Sequence, residues 1–346
     1  MFTERILIIA EVAQAHEGSL GMAHAFIEAA ARAGADAIKF QTHFAAEEST
    51  PEEPWRVKFS TQDASRYDYW KRMEFTPDQW LELSNHAHQL GILFISSPFS
   101  LKAIETLTYA NADAFKVASG EINNLILLDS VACTGKPILL STGMSPYVEI
   151  DKAINILTKG LQELMIFQCT SEYPVEPKHL GLNLIRDFKE RYNLPVGLSD
   201  HSGNIFSGLA AISLGADALE VHVTFSKDMF GPDVPASITF QELSTLVEGA
   251  RWIREALNHP VNKDLYSSSF EEYRRIFMKS FVASKDIPAG HKFTFTDVKT
   301  KKPCIGIPAS EPERLIGKNS ARFIKEGSFI MQEDVQNVSE ERALEN

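Results

Sequence analysis

Eight short apolar runs recur along the first two thirds of this chain, and segments with helical patterning fill the gaps between them. The runs are ILIIAE (6–11), DAIKFQ (36–41), ILFISS (92–97), AFKVAS (114–119), PILLST (137–142), LMIFQC (164–169), PVGLS (195–199) and ALEVHV (218–223). Apolar runs of strand length that alternate with helices signal βα units on a parallel sheet, because parallel strands need a crossover and are covered on both faces. GMAHAFIEAAARAG and TPDQWLELSNHAHQLG supply two of the crossovers, with apolar residues at helical spacing and a closing Gly as stop signal. Eight such units in about 250 residues fit a TIM (β/α)8 barrel.

The chain has 346 residues, which leaves room for one small module beyond the barrel. The expected organisation is a barrel over 1–256, a polar linker over 257–279 containing NHPVNKDLYSSSFEEY, a β-rich module over 280–340 and a frayed tail over 341–346. Within the module, DIPAGHKFTFTDV and FIKEGSFIMQEDV form a faint repeat. Each has Ile three before a Gly, an apolar residue three after it, and Asp-Val seven and eight after it. That pattern predicts a two-fold β module.

A barrel of this kind gathers its functional side chains at the C-terminal ends of the strands. Polar residues collect there in every run. They include Glu11, Lys39, Gln41, Ser97, Lys116, Ser119, Ser141, Ser171, Ser199, His201 and His222. Strand ends also turn polar wherever they meet solvent, but lysines inside apolar runs are costly unless paired or used. Two imidazoles on neighbouring strand ends, His201 and His222, suit a divalent transition metal and leave coordination positions open for water and substrate oxygens. By spacing alone they equally suit one core and one surface histidine. Lys39 and Lys116, with hydroxyls from Ser97, Ser119, Ser141 and Ser199, make a lining suited to phosphate or carboxylate. Glu11 and Asp233 are acids that can accept a proton, orient water or bind sugar hydroxyls. The stretch 44–75 shows no clear periodicity and carries Trp55, Tyr67, Tyr69 and Trp70. A loop of that length is a candidate substrate lid, or it packs its aromatics on the barrel.

Several function classes lose support. A net charge of −12 argues against nucleic acid or an anionic membrane surface as partner. The apolar runs are too short to span a bilayer, and the N-terminal run has an acid on both sides and lacks a basic n-region with a small-residue cleavage site. Three widely spaced cysteines fit a reducing compartment, so the expected location is the cytoplasm. No CxxC, GxGxxG, Walker or GxSxG motif appears.

IIAEVAQAHEGSL, GADAIKFQTH, FISSPFS, FKVASGE, LSTGM, CTSEYP, VGLSDHS and GPDVPAS, in this order, resemble the bacterial sialic acid (N-acetylneuraminate) synthases and their legionaminic and pseudaminic acid relatives. VASKDIPAG and KKPCIGI resemble the antifreeze-like (SAF, β-clip) domain of the same family, so the likeness spans the chain. The resemblance implies a transferase that condenses phosphoenolpyruvate with an open-chain N-acyl-hexosamine, such as N-acetylmannosamine. The products are a nine-carbon 2-keto sugar acid and phosphate. It implies His201 and His222 as metal ligands, usually for Mn2+ with Mg2+ or Co2+ as substitutes, and Glu11 as the acid beside the metal. Lys39, Ser97, Lys116, Ser119, Ser141, Ser171 and Ser199 match the phosphoenolpyruvate lining, and Gln41, Phe99, Tyr173 and Asp233 match positions near the sugar. It further implies a homodimer with exchanged C-terminal domains, each offering a cationic residue to the acceptor.

Four positions depart from the family pattern. Ala15 stands where Asn is usual before His16, Val221 where a basic residue precedes the second metal histidine, Ser171 where some members have Asn, and Lys302 where an Arg precedes Pro303. Lysine cannot copy the planar fork of arginine. Two other readings remain open, a phosphoenolpyruvate-dependent 2-keto acid synthase for another aldose and a non-catalytic binding homologue.

Overall fold

The computed structural model describes residues 6–160 and 162–336. Eight strands form the barrel: β1 (Leu7–Ala13), β2 (Ala37–Thr42), β3 (Leu93–Pro98), β4 (Ala114–Val117), β5 (Ile138–Ser141), β6 (Leu164–Cys169), β7 (Val196–Asp200) and β8 (Ala218–Thr224). Each pairs in parallel with the next, and β1 pairs with β8 to close the cylinder. Every expected run holds its strand, with ends displaced by no more than two residues.

Closure divides each strand's side chains into two sets, because successive residues point to opposite faces. Leu7, Ile9, Ala37, Ile95, Ala114, Leu139, Met165, Phe167 and Ala218 pack together inside the cylinder. Ile8, Ala10, Ile38, Phe40, Phe94, Phe115, Leu140, Leu198 and Leu219 belong to the larger core between strands and surrounding helices. Two residues beyond the inner layer, on the same face, come Glu11, Lys39, Ser97, Lys116, Ser141, Cys169 and Glu220. The inner core is thus a floor, and the polar strand ends stand on it.

Three strand entries share one device. GADA precedes β2 and β8, and NADA precedes β4. The first residue of each ends a helix with left-handed backbone, at φ 86° for Gly34, 94° for Gly215 and 55° for Asn111. Glycine adopts that conformation freely and asparagine tolerates it. The aspartate then accepts an N–H from the preceding strand, Ile8 N to Asp36 Oδ2 at 2.9 Å, Phe94 N to Asp113 Oδ2 at 2.7 Å and Val196 N to Asp217 Oδ2 at 2.9 Å. Each contact helps set the register of one strand pair, and register decides which residues share the inner face.

The stretch 44–75 departs from the expectation of an unpatterned loop. It contains two short helices, Ala45–Glu48 and Arg66–Met73, the second opened by a reciprocal Ser65–Asp68 capping box. No helix among the described residues is long and apolar enough to cross a membrane.

The chain divides into two compact units, Met1–His259 and Pro260–Asn346. The second begins with helices Lys263–Ser268 and Glu271–Phe277, in the stretch read from sequence as a polar linker. Strands Ser280–Ala283 and Val298–Lys301 then pair antiparallel. The sequence repeat is a structural one: Ile287 and Ile324 exchange backbone hydrogen bonds at 2.8 and 2.9 Å, and Phe293 and Ile330 both enter the unit's core. Its aspartates also correspond. Asp297 and Asp334 are buried, each accepts the N–H of the residue three before it, and each pairs with a basic side chain, Lys285 at 2.7 Å and Arg322 at 2.5 Å. The tail at 341–346 lies outside the described residues.

Burial alone would raise the Asp297 carboxyl, but Lys285, Thr294 and His291 hold it well below the usual carboxylate range. A folded value below the unfolded one contributes stability above the unfolded value, about 3.9, and that contribution is lost as pH falls through the folded value. Calorimetry of the whole chain from about pH 7 to pH 3 should show the second unit's transition weakening at the acid end. In Asp297→Asn the transition should start lower and depend less on pH.

Candidate active site

The polar ends of the inner face meet in a cluster of four buried charges. Register sets Glu11 beside Lys39 of β2 on one side and His222 of β8 on the other. Lys39 Nζ lies 2.8 Å from Glu11 Oε2 and 3.5 Å from Glu220 Oε1, while Lys116 Nζ lies 2.5 Å from Glu220 Oε2. None of the four is more than 4% exposed. Two ammoniums and two carboxylates cancel, which is what allows either sign to be buried at all. Burial pulls Lys39 down, but Glu11 and Glu220 outweigh it and raise the group. Burial and the neighbouring Lys39 pull Lys116 down despite Glu220. Burial would raise Glu220, yet Lys116 and Lys39 hold it far below the usual range, as a carboxylate.

The two Glu11 oxygens have different surroundings. Oε1 accepts from Gln41 Nε2 at 2.9 Å. Oε2 lies 2.8 Å from Lys39 Nζ, a charge-assisted contact, and is buried with no other partner among the described residues. A carboxylate oxygen has more than one lone pair, so acceptor capacity remains beside that contact.

Beside this cluster stand the imidazoles of His201 and His222, with ring centroids 5.3 Å apart. His201 Nδ1 donates to the Thr170 carbonyl at 2.8 Å, which leaves Nε2 as a bare acceptor. Burial and the neighbouring His222 bring its pKa down to about 3, so the ring is neutral at physiological pH. His222 has no hydrogen-bond partner among the described residues. This donor set fits a divalent transition ion bound by two imidazoles with its other positions open, since a backbone carbonyl fixes one ligand's tautomer. A fully protein-built cage does not form, because the described residues contain no metal-holding group of three or more His, Cys, Asp or Glu.

A cavity of about 370 Å³ opens above the two groups. Of the residues singled out in the sequence, Glu11, Lys39, Gln41, Ser97, Phe99, Lys116, Ser119, Ser141, Ser171, Tyr173, Ser199, His201, His222 and Asp233 all line it. Ser199 Oγ donates to Glu220 Oε1 at 3.1 Å. Burial pushes the Cys169 thiol up, so it lines the wall as a neutral thiol and not as a nucleophile. Lys302 belongs to the second unit, where it is exposed and its Nζ lies 5.4 Å from the Phe277 ring centroid. Val221 packs into the core between strands and helices, so this departure from the family pattern does not face the cavity.

The long stretch after β2 both packs and lines the site. Trp55, Phe59 and Tyr69 form an aromatic cluster, Phe59 reaches Phe230 at 5.3 Å, and Trp55, Phe59, Tyr69 and Trp70 all face the cavity. Tyr67 is not among the lining residues. The same stretch delivers Arg56, whose guanidinium sits 4.3 Å over the Tyr173 ring and donates to Asp233 Oδ1 at 2.5 Å. Tyr173 in turn stacks on His201 at 4.0 Å.

Sequence reasoning missed Glu220 and Arg56. Glu220 carried a readable signal: an acid inside an apolar strand, two residues before His222, must share that histidine's face. For Arg56 no local pattern announces a contact with a residue 177 positions away.

Known proteins resemble both parts of the chain. The NeuB family profile matches residues 26–262, and the SAF domain profile matches 279–336. The chain is 37% identical over 333 residues to N,N'-diacetyllegionaminic acid synthase of Campylobacter jejuni, covering 94% of this chain and 99% of that protein. It is 34% identical over 337 residues to human N-acetylneuraminate-9-phosphate synthase, covering 95% and 92%. Among solved structures, N-acetylneuraminic acid (sialic acid) synthetase of Leptospira borgpetersenii in complex with citrate superposes with a TM-score of 0.69 at 31% identity, over 78% of this chain and 91% of that one.

Gly143 tests the anion lining without touching a charge. A Cβ there would stand 2.2 Å from Ser119 Oγ and 2.4 Å from Ser171 Oγ. Gly143→Ala should displace both hydroxyls and weaken binding of inorganic phosphate about tenfold by titration calorimetry, with the barrel still unfolding cooperatively but at a lower temperature, because the new Cβ also crowds Ser119 Cβ at 2.7 Å.

Proposed function

This chain is an enzyme of the NeuB family, and we propose that it condenses phosphoenolpyruvate with an open-chain N-acyl-hexosamine, giving a nine-carbon 2-keto sugar acid and phosphate. One observation carries the reading. A pocket at the C-terminal ends of the barrel strands joins two buried lysines, ringed by hydroxyls, to two bare imidazoles and a carboxylate with an unused lone pair. Few substrates need an anion clamp, a carbonyl activator and a water-orienting base within one pocket of this size.

In this reading Lys39 and Lys116 hold the phosphate and carboxylate of phosphoenolpyruvate, with Ser97, Ser119, Ser141, Ser171 and Ser199 as hydrogen-bond partners. Gln41, Phe99, Tyr173 and Asp233 position the aldose. C3 of phosphoenolpyruvate attacks the aldehyde carbon, and the carbonyl electron pair moves to oxygen, which ends as a hydroxyl. Positive charge develops at C2. Glu11 orients a water toward C2 and accepts one of its protons, which replaces the proton taken up by the former carbonyl oxygen, and the resulting tetrahedral carbon gives up its hydroxyl proton to the departing phosphate as the C–O bond breaks. A divalent ion held by His201 and His222, manganese by first choice, would supply Lewis-acid polarisation of the aldehyde. The active form is a homodimer with exchanged C-terminal domains, a reading supported by the SAF match. Legionaminic-type acceptors stand beside N-acetylmannosamine as candidates, because the C. jejuni relative is named for that product.

Phosphate release measured with phosphoenolpyruvate and a panel of N-acyl-hexosamines should be fast with at least one acceptor, and no release with any aldose would end the proposal. Lys39→Met or Lys116→Met should weaken phosphoenolpyruvate binding by about 2–4 kcal/mol, roughly 30- to 700-fold in KM.

Metal dependence is checked separately. Chelation should abolish turnover and Mn2+ should restore it, and His201→Ala or His222→Ala should lose bound metal by elemental analysis while the barrel still unfolds cooperatively. Full turnover by a metal-stripped enzyme contradicts the assignment.

A further inference from the structure

A chain of hydrogen bonds runs from Glu11 away from the charge cluster. Gln41 Nε2 donates to Glu11 Oε1 at 2.9 Å, and Gln14 Nε2 donates to Gln41 Oε1 at 2.7 Å. Gln14 Nε2 also lies 2.7 Å from His43 Nε2, and His43 Nδ1 lies 2.5 Å from Glu48 Oε1. Gln14 and His43 are buried, and the His43 ring is stacked between Trp70 at 4.1 Å and Phe99 at 4.5 Å.

The chain has one consistent polarity. A carboxylate at Glu48 offers only lone pairs, so His43 Nδ1 carries the hydrogen. The other ring nitrogen then accepts, and the Gln14 NH2 donates to it. The same NH2 donates to Gln41 Oε1, which turns the Gln41 NH2 toward Glu11. His43 Nε2 also lies 3.4 Å from Gln41 Oε1, but the 2.7 Å approach of a donor decides for a bare Nε2. Reversing any one amide would set donor against donor or oxygen against oxygen, and the fault would pass along the chain to Glu11.

We propose that His43 is a positioning residue. Held by Glu48 as the Nδ1–H tautomer, it locks the Gln14 and Gln41 amides in the orientation that gives Glu11 Oε1 its donor, which fixes the carboxylate with Oε2 turned to Lys39. This rests on Glu11 orienting water in the reaction proposed above. A ligand or base held in one orientation by an outer hydrogen bond commonly loses about 10- to 100-fold when that bond is removed.

Two replacements separate accepting from packing. His43→Phe keeps a ring between Trp70 and Phe99 but has no acceptor. His43→Gln gives up the ring and sets an amide oxygen near the position of Nε2. The lock predicts that kcat falls about tenfold or more in His43→Phe and clearly less in His43→Gln, with the phosphoenolpyruvate KM within about twofold of wild type in both. Nitrogen-15 spectra of the wild type should show His43 protonated at Nδ1 and bare at Nε2. The Gln41 side-chain amide should be protected from exchange in the wild type and in His43→Gln, and unprotected in His43→Phe. The reverse order of kcat, with Phe tolerated and Gln impaired, would reduce His43 to packing and overturn the proposal, as would an Nε2–H tautomer. Should the wild type release no phosphate with any aldose, the reading of function fails while the spectra still decide the lock: a Gln41 amide equally protected in His43→Phe refutes it.

Discussion

Two lysines and two glutamates can be buried in this barrel only together. Removing Glu220 would leave Lys116 with no carboxylate within ion-pair distance, and breaking a buried pair commonly costs about 3–5 kcal/mol. The four side chains come from β1, β2, β4 and β8, so their meeting depends on closure between the first strand and the last. Closure in turn depends on register, because a slip of one residue would turn Glu11 or Lys39 outward into the helix-facing core. The aspartate contacts at the entries to β2, β4 and β8 therefore serve the site as much as the fold, since they act on the strands that carry Lys39, Lys116 and Glu220.

That dependence explains which parts were legible in the sequence. Strand positions rest on local apolar runs, and a barrel gathers its polar strand ends at one rim, so Glu11, Lys39, Lys116 and His222 could be placed at that rim before any coordinates. The repeat in the second unit was legible for the same reason, since Gly290 and Gly327 mark tight turns, at φ 77° and 83°, with core residues at fixed offsets. The helix Arg66–Met73 was missed because its signal is a single capping box in a stretch with mean hydropathy too low to show a face. The helices Lys263–Ser268 and Glu271–Phe277 were missed because they are short and bury no residue, which leaves no apolar stripe to read.

What local patterns could not supply were contacts across large sequence distances on the acceptor side of the pocket. Arg56 reaches Asp233 and Tyr173 from a stretch whose aromatics first have to pack on one another and on Phe230. Gln14 and His43 read as unremarkable polar residues until β1 and β2 are set side by side.

The strand-borne and loop-borne parts of the site are thus built differently. The buried lysines and the imidazoles stand at the ends of paired strands, where register limits movement, and all four line the cavity. The loops add Arg56 over Tyr173 and Phe99 against His43. Val221, the departure nearest a metal ligand in sequence, faces the helices and leaves the cavity unchanged. Ser171 and Lys302 are the departures free to act on substrate, one on the cavity wall and one exposed on the second unit. A scaffold that keeps its buried charges on strands and its variable contacts on loops can change those contacts without disturbing the electrostatic balance that lets the two lysines stay buried there.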